Sequence, residues 1–296
     1  MDLFHYQPLQ LQTRPTHTQD ELNALLITSC LFSTLSIIGS VLNILFISFL
    51  KIKGPTTKMV IWISAMSIAV SFPSALQLLA VTENIICQSE SFIKFFGLGA
   101  CFAWSCCFAH ALYTAARKGG DVDILELFLK NYMIITTTCG FVYGALGVAS
   151  VGKKVDTTRK VCLFMILKQS CIQEFAVNTV PSMLGVVICW MFFRKSKENL
   201  KLIPRRVYPE LFLFPIIFSI CVLPRAFREM GLFINIDVPY IFYLLSEIFY
   251  ECQGLLNSVA FLMSQRVFDA FRKSKEGLAG QDAAFSSVNY SLANSY

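Results

Sequence analysis

Glu247 and Glu251 stand one helical turn apart, inside an apolar run that extends from Val238 to Ser264. Arg225 and Arg228 close the apolar run before it. Carboxylates and guanidiniums in such surroundings do one of two things. They relay protons or ions, or they hold one another until a charged molecule displaces a partner. Ionisable groups inside membrane-type segments are costly and mark functional positions by default. If the two runs are antiparallel neighbours, Arg225 and Glu247 reach the same depth, and the expected ion pair is Arg225–Glu247. Cys106, Cys107 and His110 fall at spacings of three and four, which suits a metal site. Free cysteine also packs as a small hydrophobe, and no metal or cofactor is expected. Gln253 and Asn257 share one helix face beside Gly254. Amides so placed hydrogen-bond to neighbouring helices.

Hydrolytic and nucleotide chemistry finds no support. The chain has no nucleophile elbow, no P-loop and no HExxH pattern, and Gly97-Leu98-Gly99 lacks the third glycine of a dinucleotide fingerprint. Those two glycines are read as permitting close helix packing. The chain is expected to be neither an enzyme nor a nucleic-acid binder.

The elements that must position these groups follow from composition. The chain has 296 residues, 55% apolar and 15% charged, with 27 Phe. Soluble domains carry about a quarter charged residues. A membrane helix needs roughly 20 mostly apolar residues. Seven runs qualify, at about Leu22–Leu50, Met59–Val81, Phe92–Ala116, Tyr132–Val151, Phe175–Phe193, Val207–Ile234 and Val238–Ser264. The expected fold is an all-α membrane protein, a seven-transmembrane helix bundle over residues 22–265. A short tail (1–21) without signal-peptide character precedes it. A short amphipathic surface helix (266–275) and a disordered cytoplasmic tail (276–296) follow.

Most of the Lys and Arg residues fall on the inner side if the N-terminus is outside, which sets that orientation. Three of the 11 cysteines, Cys87, Cys162 and Cys171, then fall in or beside outer loops, where disulfides persist. Cys87 is expected to bridge to the loop after the fourth run. Cys162 is the favoured partner and Cys171 the alternative. That loop also carries Lys153, Lys154, Arg159, Lys160 and Lys168 against Asp156 alone. Such a positive lid attracts anionic ligands. Pro215 and Pro224 share the sixth run, so it is expected to bend. Lipid-embedded bundles tolerate such breakers because neighbouring helices re-satisfy the freed backbone groups. The seventh run has no lysine, which argues against a retinal Schiff base.

Three stretches carry a family resemblance. They are "CQSESFIKFFGLGACFAWSCCFAHALYTA", with Trp104 and Tyr113, "YPELFLFPIIFSICVLPRAF", with Cys221-x-x-Pro224, and "QGLLNSVAF", with Gln253, Gly254 and Asn257. In this order they resemble the cAMP-receptor-like G-protein-coupled receptors of slime moulds and other protists, relatives of secretin-like receptors. The chain departs from that group at Ser67, where an acidic residue is usual, and its N-terminal tail has no N-x-[ST] sequon. The resemblance implies a multi-pass plasma-membrane receptor. It would pass an extracellular small-molecule signal, anionic on the reading of the positive lid, to a heterotrimeric G protein. Trp104, His110, Tyr113, Pro215, Pro224, Gln253, Gly254 and Asn257 would be packing or switch positions. Lys153, Lys154, Arg159, Lys160, Arg225 and Glu247 would face the ligand. Arg117, Lys118, Arg194, Lys195, Arg205 and Arg206 would face the G protein. The alternative is a seven-helix transporter or channel, against which the lack of an internal repeat weighs.

Overall fold

The computed structural model describes residues 19–52, 54–76, 84–118, 123–150, 153–156, 161–164, 175, 179–200, 210–234, 236 and 238–263. They form helices α1 (Gln19–Phe49), α2 (Pro55–Leu76), α3 (Asn84–Arg117) and α4 (Asp123–Ser150), then a two-stranded antiparallel ribbon of β1 (Lys153–Asp156) and β2 (Val161–Phe164). Helices α5 (Val180–Leu200), α6 (Glu210–Phe233), α7 (Tyr240–Glu251) and α8 (Gln253–Leu262) complete the described chain. The surface-helix segment 266–275 and the two tails, apart from Gln19–Glu21, lie outside the described residues.

Four helical segments are long and apolar enough to cross a membrane: Asn23–Phe49, Pro55–Leu76, Gln88–Arg117 and Leu125–Ala149. Their surface is inverted relative to a water-soluble protein. Helix α1 turns Ile27, Leu31, Ile38 and Leu45 outward and buries Ser33, Ser36, Ser40 and Asn43. Helix α4 likewise exposes Ile134, Ile135, Phe141 and Val142. Hydrocarbon rather than water satisfies such a surface.

Local signals set the boundaries. Gly54 has φ 141°, which no side-chain-bearing residue adopts easily, and it turns α1 into α2. Pro55 then begins α2, where its missing N–H costs nothing. Helices α3 and α4 reach further toward their N-termini than the apolar runs alone indicate, by eight and nine residues respectively. The last apolar run is helical with one interruption, at Cys252, across which the Cys252 N–H still donates to the Ile248 carbonyl and the Leu256 N–H to the Cys252 carbonyl, each at 2.9 Å. Helix α7 ends at Glu251, Cys252 carries φ −74° and ψ −6°, and α8 begins at Gln253. Pro215 and Pro224 both lie inside α6, and the Ser219 hydroxyl donates to the Pro215 carbonyl at 2.9 Å.

Helix α3 is the axis of the bundle and packs against α2, α4, α5 and α6. Its contact with α4 interlocks glycines with rings: Gly140 lies against Phe96, Gly144 against Phe92, Gly147 against Phe95 and Gly99 against Tyr143. Gly97 meets the α2 backbone at Val70, so both glycines of the Gly-Leu-Gly triplet serve close packing. Trp104, Phe108 and Leu112 fill the centre, and Phe108 stacks on Phe214 of α6 at 4.8 Å.

Helices α1 and α2 meet through a polar ladder. Ser33 and Ser74 both reach the same carboxylate, Ser71 Oγ lies 3.1 Å from Ser36 Oγ, and Asn43 Nδ2 lies 3.4 Å from Ser64 Oγ. Each step along α1 is matched by an equal step back along α2. The same antiparallel register sets Ser40 opposite Ser67.

Candidate functional site

The carboxylate that ends the ladder belongs to Glu251, the last residue of α7, with 1% exposure. It accepts from Ser33 Oγ of α1 at 2.7 Å, from Ser74 Oγ of α2 at 2.9 Å and from Lys94 Nζ of α3 at 3.3 Å. Lys94 also donates to Ser74 Oγ at 2.7 Å. One carboxylate therefore ties four helices together, and it does so at the break before α8.

One turn earlier, Glu247 joins α7 to α6. Arg228 Nη1 donates to Glu247 Oε1 at 2.6 Å and to Ser246 Oγ at 3.0 Å. The same guanidinium binds Glu229 Oε1 through Nη2 at 2.5 Å and Nε at 3.2 Å. Arg228 thus hydrogen-bonds the carboxylate that the sequence reading paired with Arg225, and both guanidiniums stabilise the Glu247 charge. Three residues on a helix turn a side chain by about 300°, so two arginines at that spacing point in neighbouring but different directions. Arg225 lies with its guanidinium carbon 4.2 Å from the Tyr250 ring centroid. Lys94 Nζ lies 5.9 Å from the same centroid, and Arg228 lies 4.8 Å from that of Tyr243. Tyr250 is the aromatic wall shared by the two carboxylate sites.

Three basic side chains, Lys94, Arg225 and Arg228, stand among three acidic ones, Glu229, Glu247 and Glu251. Paired charges in a low-dielectric interior offset a desolvation cost that either sign alone could not meet. Chemically this is an exchangeable latch. An anion that takes Arg228 or Lys94 releases a carboxylate, and a cation that takes a carboxylate releases a base. Either exchange cuts a link between helices. Among the described residues, no group of three or more His, Cys, Asp or Glu side chains is arranged to hold a metal.

The other predicted positions fall elsewhere. His110 Nδ1 lies 2.7 Å from the Tyr132 hydroxyl, with Phe128 and Phe192 rings edge-on to the imidazole. Tyr113 packs on Phe192 at 5.7 Å. Cys106 reaches the Gly185 carbonyl at 3.9 Å, which brings α3 onto α5. Arg117 and Lys118 end α3, and Arg194 and Lys195 lie on α5; all four are exposed, at the bundle end opposite the ion cluster. Gln253, Gly254 and Asn257 are buried on α8, where Gly254 abuts Ser36 and Ser40. Lys153 and Lys154 lie on β1, which packs against α3, and Cys162 lies on β2. Their side chains, and that of Cys87, are outside the described structure, as are Arg159, Lys160, Lys168, Cys171, Arg205 and Arg206 altogether.

Lys94, Ser33, Ser74, Tyr250 and Glu229 are the site residues that sequence reasoning missed. Lys94 lies at the start of the Phe92–Ala116 run, one turn after Glu90, and so read as an outer-side charge rather than a buried one. The one signal available was its position beside Phe92, Phe95 and Phe96, inside aromatic sequence. No family model matches the chain, and no curated protein matches it.

Proposed function

We propose that this chain is a seven-helix plasma-membrane receptor that binds an extracellular anionic small molecule and signals through a heterotrimeric G protein. The single observation that carries the proposal is the placement of Glu251. A buried, multiply bonded carboxylate sits at the break between α7 and α8, within one turn of the Glu247–Arg228 pair. An anion competing for Arg228 or Lys94 alters the contacts of α6 and α7 directly. Such a ligand has different affinities for the latched and released arrangements, which is what a conformational response requires. Helix α6, with two internal prolines, is the element suited to swing.

The orientation with α1 entering from outside puts the ion cluster in the outer half. It puts Arg117, Lys118, Arg194 and Lys195 at the inner end. In sequence, Lys153, Lys154, Arg159, Lys160 and Lys168 follow the outer end of α4, and a positive segment on that side raises the local anion concentration. The inner cations form the G-protein-facing surface.

A second reading has one observation in its favour. Six ionisable side chains in one helical cluster is more intramembrane charge than a receptor requires, and ion-coupled transporters and channels keep such groups on their pathways. The two are separated by measuring nucleotide exchange on a panel of Gα subunits and substrate flux in vesicles that contain this protein alone. Ligand-dependent exchange without flux supports the receptor; flux without exchange replaces it with the transporter.

A further inference from the structure

The thiols of Cys106 on α3 and Cys189 on α5 are hydrogen-bonded to one another. The register of the two helices puts them together. Cys106 Sγ lies 3.9 Å from the Gly185 carbonyl and 4.0 Å from where a Gly185 Cβ would stand. Gly185 and Cys189 are one turn apart on α5, so the Cys106 sulfur is seated between them. Further along the same contact, the His110 and Phe192 rings lie 5.3 Å apart, and Tyr113 lies 5.7 Å from Phe192. A disulfide needs Cα atoms about 4–7 Å apart. Small residues such as Gly185 are what let two membrane helices approach so closely.

The two thiols differ in surroundings. Cys106 is partly exposed and Cys189 is buried. On its other side Cys189 lines a crevice between α5 and α6, together with Trp190, Phe193, Pro215 and Ile216. Trp190 also belongs to the exposed apolar face of α5, with Leu184, Val187 and Met191. The crevice therefore adjoins lipid, and it touches a proline inside α6.

We infer that Cys106 and Cys189 are a reversible redox pair, which a lipid-soluble organic hydroperoxide oxidises to a disulfide that locks α3 to α5. The more accessible Cys106 thiol takes the terminal oxygen of the hydroperoxide, whose O–O bond breaks to leave an alcohol. The product is a sulfenic acid, which condenses with a neighbouring thiol. The Cys189 sulfur attacks the Cys106 sulfur, the S–S bond forms, the S–O bond breaks, and the hydroxyl leaves as water with the Cys189 proton. In sum, two thiols and one hydroperoxide give one disulfide, one alcohol and one water. The sulfurs lose the two electrons that the O–O bond gains. A thiol or phosphine reductant restores both cysteines. Cys107, next on α3, points about 100° away from Cys106 and serves as the internal control. The inference concerns the packing of α3 on α5 and does not rest on the receptor reading.

The test uses the full chain in lipid nanodiscs, treated with cumene hydroperoxide and alkylated without reductant. Mass spectrometry is expected to find a peptide pair that joins Cys106 to Cys189, and a phosphine to remove it. The Tm of the oxidised chain rises by about 5–10 °C and returns on reduction. Cys189→Ser abolishes both the cross-link and the rise, and Cys107→Ser keeps both. Two intact thiols after peroxide, or separate sulfinic acids on the two residues, would overturn the inference. So would a bridge from either residue to Cys107 or Cys139 instead. A Cys106–Cys189 bridge that left the Tm unchanged or lower would overturn it as well, because the helices would then not be locked.

Discussion

The Lys94 ammonium of α3 meets the Glu251 carboxylate of α7 at 3.3 Å, with Ser74 Oγ bonded to both. The Glu251 side chain is wholly buried and that of Lys94 is 14% exposed. Removing one member of such a pair strands the other, typically at 3–5 kcal/mol, whereas removing both is often close to neutral. Lys94→Met is therefore expected to cost about 3 kcal/mol, and Lys94→Met with Glu251→Gln to recover most of it. A double-variant cycle of thermal unfolding in nanodiscs measures the coupling. Additive losses would show that the pair contributes nothing as a pair.

Arg228 and Arg225 make a sharper contrast. Arg228 bonds Glu229, Ser246 and Glu247, and Arg225 faces the Tyr250 ring. Arg228→Met removes the guanidinium hydrogen bonds to Glu229, Ser246 and Glu247 and is expected to lower stability more than Arg225→Met. A cation over an aromatic face contributes about 0.5–2 kcal/mol, so Tyr250→Leu in the Arg225 background should show a loss of that order or less. Equal losses for the two arginines would contradict the division of roles.

Much of this was legible in the chain. The apolar runs gave the helices because lipid-facing and core-facing residues are both apolar, which leaves long uninterrupted stretches. Glu247 and Arg228 stood out because charge inside such a run is rare. What failed to show was direction and depth. Serine is ordinary in membrane helices, and nothing in one dimension says that Ser33 and Ser74 point at one carboxylate. Lys94 read as an outer-side charge because it stands only two residues into the Phe92–Ala116 run, whereas α3 begins at Asn84 and carries it ten residues inside the helix. The break at Cys252 has neither proline nor glycine at its own position, and Gly254 two residues on was its only trace.

Glycine packing on α3 gives an independent check of the fold. A methyl group at Gly99 would meet Tyr143 Cβ at 2.5 Å and the Cys139 carbonyl at 3.0 Å, atoms that cannot turn aside. At Gly231 it would meet only the end of the Val238 side chain at 3.1 Å. Gly99→Ala is expected to destabilise by about 1–3 kcal/mol through overpacking. Gly231→Ala should be tolerated with less than half that loss. Thermal unfolding of the two variants side by side decides it, and the reverse ranking would mean that α3 and α4 do not cross at Gly99.

The basic loop bears on the ligand. Changing Lys153, Lys154, Arg159, Lys160 and Lys168 together to Gln removes the positive lid. The concentration of an anionic ligand needed for half-maximal response should then rise about tenfold, with a weaker dependence on salt. Neutral ligands should be unaffected. A response to anions that ignores these five changes would remove the loop from recognition.

The most direct measurement is guanine-nucleotide exchange on Gα subunits, with the full chain in vesicles and a small-molecule panel that includes cyclic nucleotides and other phosphate-bearing compounds. At least one anionic compound is predicted to accelerate exchange, and Glu251→Gln to change that response while the protein still reaches the membrane. Silence from every Gα, with flux of the same compounds across vesicles that contain this protein alone, would contradict the receptor.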